Sequence, residues 1–510
     1  MSGPLRVLLV AAECAPFAQF GGLGDVIASL PRALRKSGHD ARILLPWYPS
    51  IQGKLRVRSW KQFHFQFEGA AETFRVGEAV HPNGVPLYLL GSRTYISRMY
   101  GDDPAEKTPM MGEHRRFWFF CEAAFHLLRH GSWRPQLVHC HDNHTGLLPE
   151  LIARRGQPDD LRTMMTVHNA EFQASFYGIV NVPRSLRDDE RRPLPLLASK
   201  RGRFVNFLRR GLEYADAWNT VSPTHVRELM ARDDEFHIRG LLLRCPTEPL
   251  GILNGIDVLR HDPKNDPDLI HRYSASTLAR RTANKALLQK YMGLPVLSRA
   301  PLLTMVSRMA AQKGLVLVLQ SLDYLLRQGC QLALLGNGRP EIEQLLTELA
   351  KKHPRQIAYR KFDLPHESLF YAGGDLLLMP SKFEPCGLSQ LKALRYGCVP
   401  LVRAVGGLKD VVTDVDQDKR RTNGFAFHAY SSKALCRALA RALKLYERPL
   451  QWRRLQLRGM REDWSWDRSA QAYVRAYRAC LKRNQRRPAL RALSGQDIDR
   501  KELNSFERRR

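Results

Sequence analysis

The chain has 510 residues, too many for one ordinary hydrophobic core, so its length predicts at least two domains. An apolar fraction of 44% and an aromatic fraction of 9% exclude a disordered protein and indicate well-packed cores. The net charge of +30 is spread along the chain without interleaved aromatic residues, so we expect an anionic substrate and not a nucleic-acid partner.

In the first half of the chain, short apolar runs typical of strands alternate with amphipathic stretches typical of helices. The predicted strands are residues 5–10, 41–45, 136–141, 163–167, 217–221 and 250–253, and the predicted helices are 25–35, 146–153 and 223–230. The first strand, the first helix and the second strand together indicate a βαβ unit.

Residues 262–300 are predicted to connect this half to a second alternating series. Its predicted strands are 302–306, 331–335, 356–359, 375–379 and 399–402, and its predicted helices are 315–327, 342–351, 366–372 and 388–396. Such alternation predicts two α/β domains with doubly wound, mostly parallel sheets, which bind ligands at the carboxyl ends of their strands. Two such sheets facing one another would form a cleft.

The sequence contains no pattern typical of a membrane span, a secretion signal or a zinc site. No stretch approaches the ~20 apolar residues of a membrane span, and the apolar run at 7–12 is too short for a secretion signal. The nine cysteines include no C-x-x-C pair, which predicts buried thiols in a reducing compartment and no zinc site. We therefore expect a cytoplasmic protein with no membrane partner and no bound metal.

Two Gly-Gly-Leu turns, at 21–23 and 406–408, each follow a predicted strand and precede a predicted helix. Glycine lets backbone amides approach a ligand, and a helix start favours anions, so both turns are candidate phosphate sites. A turn of this kind is also often only a tight connection.

Charged side chains lie in two loops of the second half. Arg308 and Lys313 flank one strand-to-helix loop, where two cations could clamp a diphosphate. Glu384 lies in the loop 380–388, where its carboxylate could accept hydrogen bonds from sugar hydroxyls. The alternatives are a solvated loop and an ordinary acid at a helix start.

Two clusters that contain histidine lie at the carboxyl ends of predicted strands in the first half. Residues 141–144 read His-Asp-Asn-His and residues 166–169 read Thr-Val-His-Asn. A single histidine is usually structural, but two such clusters at strand ends indicate a site.

Several motifs resemble those of the glycogen/starch synthase family. They are residues 383–391 with 393–397, 307–308 with 312–315, 220–224, 252–255 and 166–169, and the similarity covers roughly residues 5–480. The resemblance implies a GT-B fold of two facing Rossmann-like domains. It implies an acceptor-side domain over 1–260, a donor domain over 261–480 and a basic, disordered tail over 481–510.

The resemblance also implies the reaction and the roles of residues. The family is a hexosyltransferase family that moves glucose from ADP-glucose to glycogen or another α-1,4-glucan, without cofactor or metal and with retention of configuration. Glu384, His168 and Asp142 would then be catalytic. Donor binding would involve Arg308, Lys313, Gly21, Gly22, Gly406, Gly407 and Leu408.

Four places depart from the family pattern. Gln19 stands where the family has a lysine that helps bind ADP-glucose, Asn143 replaces a tryptophan, residues 236–239 replace a glycine-rich segment, and Val405 replaces a threonine. An amide can donate a hydrogen bond but cannot neutralise phosphate. Two alternatives therefore stay open, a transferase with a changed donor or acceptor and a catalytically weak glucan-binding or regulatory paralogue.

Overall fold

A computed structural model describes residues 3–67, 69–97, 99, 110–155, 161–173, 175–177, 197–199, 202–231, 238–243, 247–418 and 420–482. The predicted basic tail lies outside the described residues from position 483 onward. The chain divides into two compact units. Unit 1 comprises Met1–Thr220, Arg227–Ile252 and Ser469–Arg510, and unit 2 comprises Val221–Val226 and Leu253–Arg468.

Eighteen strands lie within the described residues. They are β1 Arg6–Val10, β2 Asp40–Pro46, β3 Ser59–Phe67, β4 Ala70–Val80, β5 Pro86–Gly91, β6 Leu137–His141, β7 Arg162–Val167, β8 Ser175–Tyr177, β9 Leu197–Ser199, β10 Gly202–Asn206, β11 Ala217–Thr220, β12 Leu250–Gly251, β13 Leu302–Val306, β14 Gln331–Leu335, β15 Ile357–Arg360, β16 Leu376–Met379, β17 Val399–Arg403 and β18 Phe425–Phe427. Every predicted strand is confirmed, with small shifts at the ends.

Sixteen α-helices lie in the same parts of the chain. They are α1 Gly22–Lys36, α2 Met110–His130, α3 Leu147–Arg155, α4 Phe207–Tyr214, α5 Pro223–Leu229, α6 Arg239–Leu242, α7 Arg281–Tyr291, α8 Leu315–Gln320, α9 Leu322–Arg327, α10 Pro340–Lys352, α11 Leu364–Gly373, α12 Ser389–Arg395, α13 Gly406–Val411, α14 Ser432–Tyr446, α15 Pro449–Arg461 and α16 Trp466–Lys482. None of these helices is both long and apolar enough to cross a bilayer.

Unit 1 contains a nine-stranded sheet in the order β12-β11-β7-β6-β1-β2-β5-β4-β3. The strands from β12 to β5 are parallel, and β4 and β3 extend the sheet as antiparallel neighbours. The central strands β1 and β6 are buried almost throughout, which explains the continuous apolar run over residues 7–10 of β1, and in β6 this burial includes His139 and His141. A small antiparallel sheet, β8-β10-β9, belongs to the same unit.

Unit 2 contains a six-stranded parallel sheet in the order β15-β14-β13-β16-β17-β18. Alternate residues of each strand enter different cores. In β13, Leu302 and Val306 pack on one side of the sheet, and Leu303 and Met305 pack on the other. Helices therefore cover both faces, as the alternation of elements predicts.

Among the parallel strands of each sheet, strand order reverses at one point, and this point determines which loops lie side by side. In unit 1, the chain moves outward in opposite directions from β1 and β6, and in unit 2 it does so from β13 and β16. The loops that leave the carboxyl ends of these strands are therefore neighbours. Doubly wound sheets bind their ligands at such switch points.

The structure corrects three details. Gly22 and Gly406 are the first residues of α1 and α13, so each Gly-Gly-Leu run enters a helix and is not a turn ahead of it. The predicted helix over 315–327 is two helices that separate at Ser321, whose N–H is shared between two carbonyls. The sequence did not predict β3–β5, although Phe63, Phe65 and Phe67 show the alternation of a strand. The other elements that it did not predict are α2, α4, α6, α14–α16, β8–β10 and β18.

Candidate active site

The carboxyl ends of β6 and β7 in unit 1 are joined through Asp142. Its Oδ1 accepts hydrogen bonds from the N–H of His168 at 2.6 Å and of Asn169 at 3.4 Å. Asp142 has a φ of 57° and a ψ of −175°, a conformation that a non-glycine residue rarely adopts. Backbone strain of this kind persists only where the surroundings hold it, and here the two backbone N–H groups do so.

Burial changes the protonation of this carboxyl group. Asp142 is 9% exposed, and its loss of hydration raises its pKa from 3.8 to about 7. The two backbone N–H groups act in the opposite direction, and the charge of Glu13 raises the pKa further. The group therefore titrates close to neutral pH.

The imidazole of His168 contacts a second histidine. His168 Nε2 lies 2.9 Å from Nδ1 of His141, the last residue of β6. Burial lowers the pKa of His168 to about 3 and holds that of His141 well below its ordinary value. Both rings are therefore neutral at pH 7, and they can exchange hydrogen bonds with hydroxyl groups but carry no charge.

The backbone of the first glycine-rich segment donates hydrogen bonds to a carboxylate that precedes it in the chain. The N–H groups of Phe20 and Gly21 donate to Oε2 of Glu13 at 2.8 and 2.9 Å. Gly21 and Gly22 are exposed, as is Gln19. The amide of Gly21 thus already has an anionic partner, which weakens the case for a preformed phosphate site in this segment. Glu13 was not predicted, although an acid between β1 and the glycines is a visible signal.

The centre of the candidate site in unit 2 is an ion pair between its two switch-point loops. Lys313 Nζ lies 2.6 Å from Oε2 of Glu384, and the Ser381 hydroxyl donates to the same oxygen at 3.1 Å. Glu384 is 5% exposed. Two of the residues predicted from separate loops are therefore in direct contact.

Arg308 is exposed and linked to the same pair of loops through Gln312. Its Nη2 donates to Gln312 Oε1 at 3.1 Å, and Gln312 Nε2 donates to the carbonyl of Phe383 at 3.3 Å. Gln312 also accepts, at its backbone carbonyl, the N–H of Lys382 at 2.8 Å. Sequence reasoning missed Gln312 as the residue that fixes Arg308 relative to Glu384.

The glycines at the start of α13 pack against the loop that carries Glu384. A Cβ on Gly406, whose φ is +43°, would lie 1.9 Å from the carbonyl oxygen of Glu384. The N–H of Gly407 donates to the carbonyls of Glu384 and Pro385, both at 3.1 Å. Leu408 is fully buried in the core. These residues hold the Glu384 loop and the helix together.

The segment 221–226 supports the same loop. The Ser222 hydroxyl donates to the carbonyl of Pro385 at 2.5 Å. The N–H and hydroxyl of Thr224 each donate to a carboxylate oxygen of Asp410 at 2.7 Å. The sequence marked 220–224 as a motif, and these bonds give it a role in positioning the Glu384 loop and α13.

Known proteins match the chain along most of its length. The family model described as starch synthase catalytic domain matches residues 6–244, and the one described as glycosyl transferases group 1 matches residues 295–455. A glycogen synthase of Geobacillus thermodenitrificans (strain NG80-2) is 37% identical over 503 residues, with 94% of this chain and 99% of the relative covered. A glycogen synthase of Anaeromyxobacter sp. (strain Fw109-5) is 40% identical, with 93% and 99% covered.

Solved structures give the same result. The catalytic domain of starch synthase IV from Arabidopsis thaliana, bound to ADP and acarbose, matches with a TM-score of 0.84 and 31% identity, covering 94% of this chain and 100% of that chain. A sucrose-phosphate synthase from Thermosynechococcus elongatus matches with a TM-score of 0.59 at 16% identity, which concerns the fold alone. The predicted α/β fold of the GT-B class is confirmed.

Proposed function

This chain belongs to the glycogen and starch synthase family of glycosyltransferases, and from that premise we propose that it transfers glucose from ADP-glucose to the non-reducing end of an α-1,4-glucan. The observation that carries the proposal is the contact between Lys313 and Glu384 at the switch point of unit 2. A cation and a hydrogen-bond acceptor lie side by side there, as a diphosphate attached to a sugar requires.

In the proposed reaction, the unit 2 residues stabilise the leaving group and orient the sugar. Arg308 and Lys313 neutralise the negative charge that grows on the diphosphate as the bond to glucose breaks. Glu384 accepts hydrogen bonds from hydroxyl groups of the glucose. Lys313 and Ser381 both contact its Oε2 and so hold the carboxylate in place as an acceptor for these hydroxyl groups.

Retention then follows from attack on the face that the diphosphate leaves. The departing phosphate oxygen accepts the proton of the acceptor hydroxyl, so no protein base is required for that step. Gly406, Gly407 and Leu408 contribute by fixing the loop of Glu384 rather than through exposed amides.

The unit 1 residues are assigned to the sugar. His168 would contact the transferred glucose as a neutral imidazole, and Asp142 would orient it through the bond to its backbone N–H. Gly21 and Gly22 stay candidates for donor contact. The ADP bound to starch synthase IV supports ADP-glucose as the donor of this chain.

A changed donor is the alternative that one specific observation favours. Gln19 carries no charge, and the neighbouring amides donate to the carboxylate of Glu13. This region of unit 1 therefore offers a phosphate less positive charge than the family pattern predicts. A nucleotide-sugar whose phosphates rely less on a charged contact at residue 19 would lose less binding affinity from the change to glutamine.

Incorporation of labelled glucose into glycogen by the purified protein tests the proposal. ADP-, UDP- and GDP-glucose are compared at equal concentration, and glycogen binding is measured in parallel by co-sedimentation. We expect incorporation from ADP-glucose above the other donors. Preference for another nucleotide would support the changed-donor alternative, and binding of glycogen without incorporation from any donor would support the regulatory alternative.

A further inference from the structure

A hydrogen-bonded row of buried polar side chains lies next to His141 in unit 1. His139, in β6, is fully buried and uses both ring nitrogens. Its Nδ1 lies 2.8 Å from the hydroxyl of Tyr477, and its Nε2 lies 2.5 Å from the hydroxyl of Thr166. None of these three side chains has a role in the reaction proposed above.

The positions of the protons in this hydrogen-bonded row can be deduced one group at a time. Asn219 Nδ2 lies 3.3 Å from the carbonyl of Thr220, which can only accept, so the amide orientation is fixed. The Thr166 hydroxyl therefore donates its one proton to Asn219 Oδ1 at 2.6 Å. It must accept from His139, which carries its proton on Nε2 and accepts from Tyr477 at Nδ1.

His141 lies between this row and His168 of the candidate site. Its ring centroid lies 4.0 Å from that of His139, and its Nδ1 lies 2.9 Å from Nε2 of His168. Among the described residues, Nε2 of His141 is buried and has no hydrogen-bond partner. Burial lowers the pKa of all three histidines, so each carries a single ring proton.

Only two arrangements of protons fit this geometry. If His168 donated to His141, a buried N–H of His141 would have no acceptor. If His141 donates, only a lone pair is left without a partner, and orphaned buried N–H groups are the rarer case in proteins. The second arrangement places the proton of His168 on Nδ1, a nitrogen without a hydrogen-bond partner within the described parts of the chain.

We propose that His141 is a positioning residue for glucosyl transfer, because its Nδ1–H holds His168 in the tautomer that presents an N–H at Nδ1 to the sugar. The inference rests on the proposed function, in which His168 contacts the transferred glucose. A fixed donor at this place holds the glucose in one orientation, aligned for attack as its bond to the diphosphate breaks. Loss of His141 should therefore lower kcat more than it raises the KM for the donor.

Two substitutions of His141 separate this role from packing. His141→Asn keeps an N–H close to the position of Nδ1, whereas His141→Leu removes it. We expect kcat/KM of His141→Leu to fall about 10- to 100-fold, by analogy with the loss of partners that fix the tautomer and orientation of metal-bound histidines. His141→Asn should recover most of that loss. His261→Leu, at another buried histidine with a lowered pKa, is the matched control and should change stability alone.

The tautomer itself is read from nitrogen NMR of the full-length protein labelled with 15N-histidine. The signals of His168 are assigned by their disappearance in His168→Gln. We expect the parent protein to show the proton of His168 on Nδ1, and His141→Leu to show a mixture of tautomers. Thermal unfolding is measured for each variant.

Three results would overturn the proposal. They are a proton on Nε2 of His168 in the parent protein, unchanged kcat and KM in a folded His141→Leu, and equal losses in the two His141 variants at equal stability. If His141→Leu does not fold, His141→Asn and the parent spectrum still decide. A parent protein that shows the expected tautomer but transfers no glucose would contradict the proposed function and not the proton arrangement.

Discussion

The pairing of Lys313 with Glu384 is the residue-scale feature on which the proposed donor site depends most. Replacing Lys313 by methionine removes one charge and leaves a side chain of similar length. We expect kcat/KM for the nucleotide-sugar to fall by roughly 10²- to 10³-fold, as when one preorganised donor to a developing oxyanion is removed. The measurement is initial-rate kinetics of glucose incorporation.

Lys361 provides the matched control, because it too pairs with a glutamate of unit 2. Its Nζ lies 2.8 Å from Glu343, but 72% of its side chain is exposed. Exposed ion pairs contribute little, so Lys361→Met should leave kcat/KM near that of the parent. Equal effects of the two substitutions would contradict a donor role for Lys313.

Gln19 offers a gain-of-function prediction at the same scale. Lysine at this position would place a positive charge where the family has one. We expect Gln19→Lys to bind ADP about tenfold more tightly, since charge-assisted hydrogen bonds contribute about 1.5–3 kcal/mol. Isothermal titration checks this, with Gln19→Met as the uncharged control. Unchanged affinity would show that Glu13 and its neighbours have rebuilt the pocket.

Asp142 gives a prediction on pH. Its pKa is about 7 in the folded protein, against an ordinary value of 3.8 for an aspartate in water, which we take for the unfolded chain. Its stabilising contribution is therefore complete below about pH 4 and is lost as pH rises through 7. Asparagine cannot ionise, so the Asp142→Asn variant does not lose this stabilisation as the pH rises. The free energy of unfolding of Asp142→Asn should therefore rise relative to the parent between pH 4 and 7, by at most roughly 4 kcal/mol. Urea titrations across this range test it, and parallel curves would contradict it.

At the scale of elements, the start of α13 depends on a glycine. Alanine at Gly406 would bring its Cβ to 1.9 Å from the Glu384 carbonyl and would also adopt a positive φ. Gly293 has a φ of +72° but nothing within 4 Å of such a Cβ. Gly293→Ala should therefore cost only the ~1–2 kcal/mol of the left-handed conformation.

Gly406→Ala should cost clearly more, because the Glu384 loop has to move as well. It should also lower the affinity for donor, whereas Gly293→Ala should not. Denaturant unfolding and ADP binding of the two variants are the measurements. Similar losses in both would mean that the close approach at Gly406 relaxes easily.

Elements and the site were predictable to different degrees. The parallel strands were predictable because strands buried on both faces are continuous apolar runs, as β13 and β14 show. Lys313 and Glu384 could be identified because each lies in a loop directly after such a strand. Glu13 and Gln312 are visible beside the motifs, but their roles could not be predicted, since these depend on which groups a folded loop turns toward them.

At the scale of the whole molecule, most of the helix α16 belongs to unit 1, although it follows unit 2 in the sequence. The resemblance implies a second domain that continues to residue 480, whereas the described residues from Ser469 to Lys482 group with unit 1. Tyr473, Tyr477 and Cys480 of α16 are buried there. Tyr473 is also bonded to Asn219. Contacts between residues so distant in sequence leave no local pattern, so periodicity could not reveal them.

Two truncations test how much unit 1 depends on α16. A chain that ends at Arg468 loses these buried side chains and leaves His139 without its partner at Nδ1, a cost of several kcal/mol in total. We expect it to be largely insoluble or rapidly cleaved by protease. A chain that ends at Lys482 keeps the whole helix and should stay folded. Equal protease resistance of the two would contradict the prediction.

The bond between His139 and Tyr477 also bears on how the protein is made. These residues are 338 positions apart, and a ribosome adding roughly 5–20 residues each second needs about 17–70 s to pass from one to the other. During that time the nascent sheet of unit 1 holds His139 without α16. Unit 1 begins before unit 2 on the ribosome but is completed after it, so the emerging chain needs protection at this surface until α16 has been made.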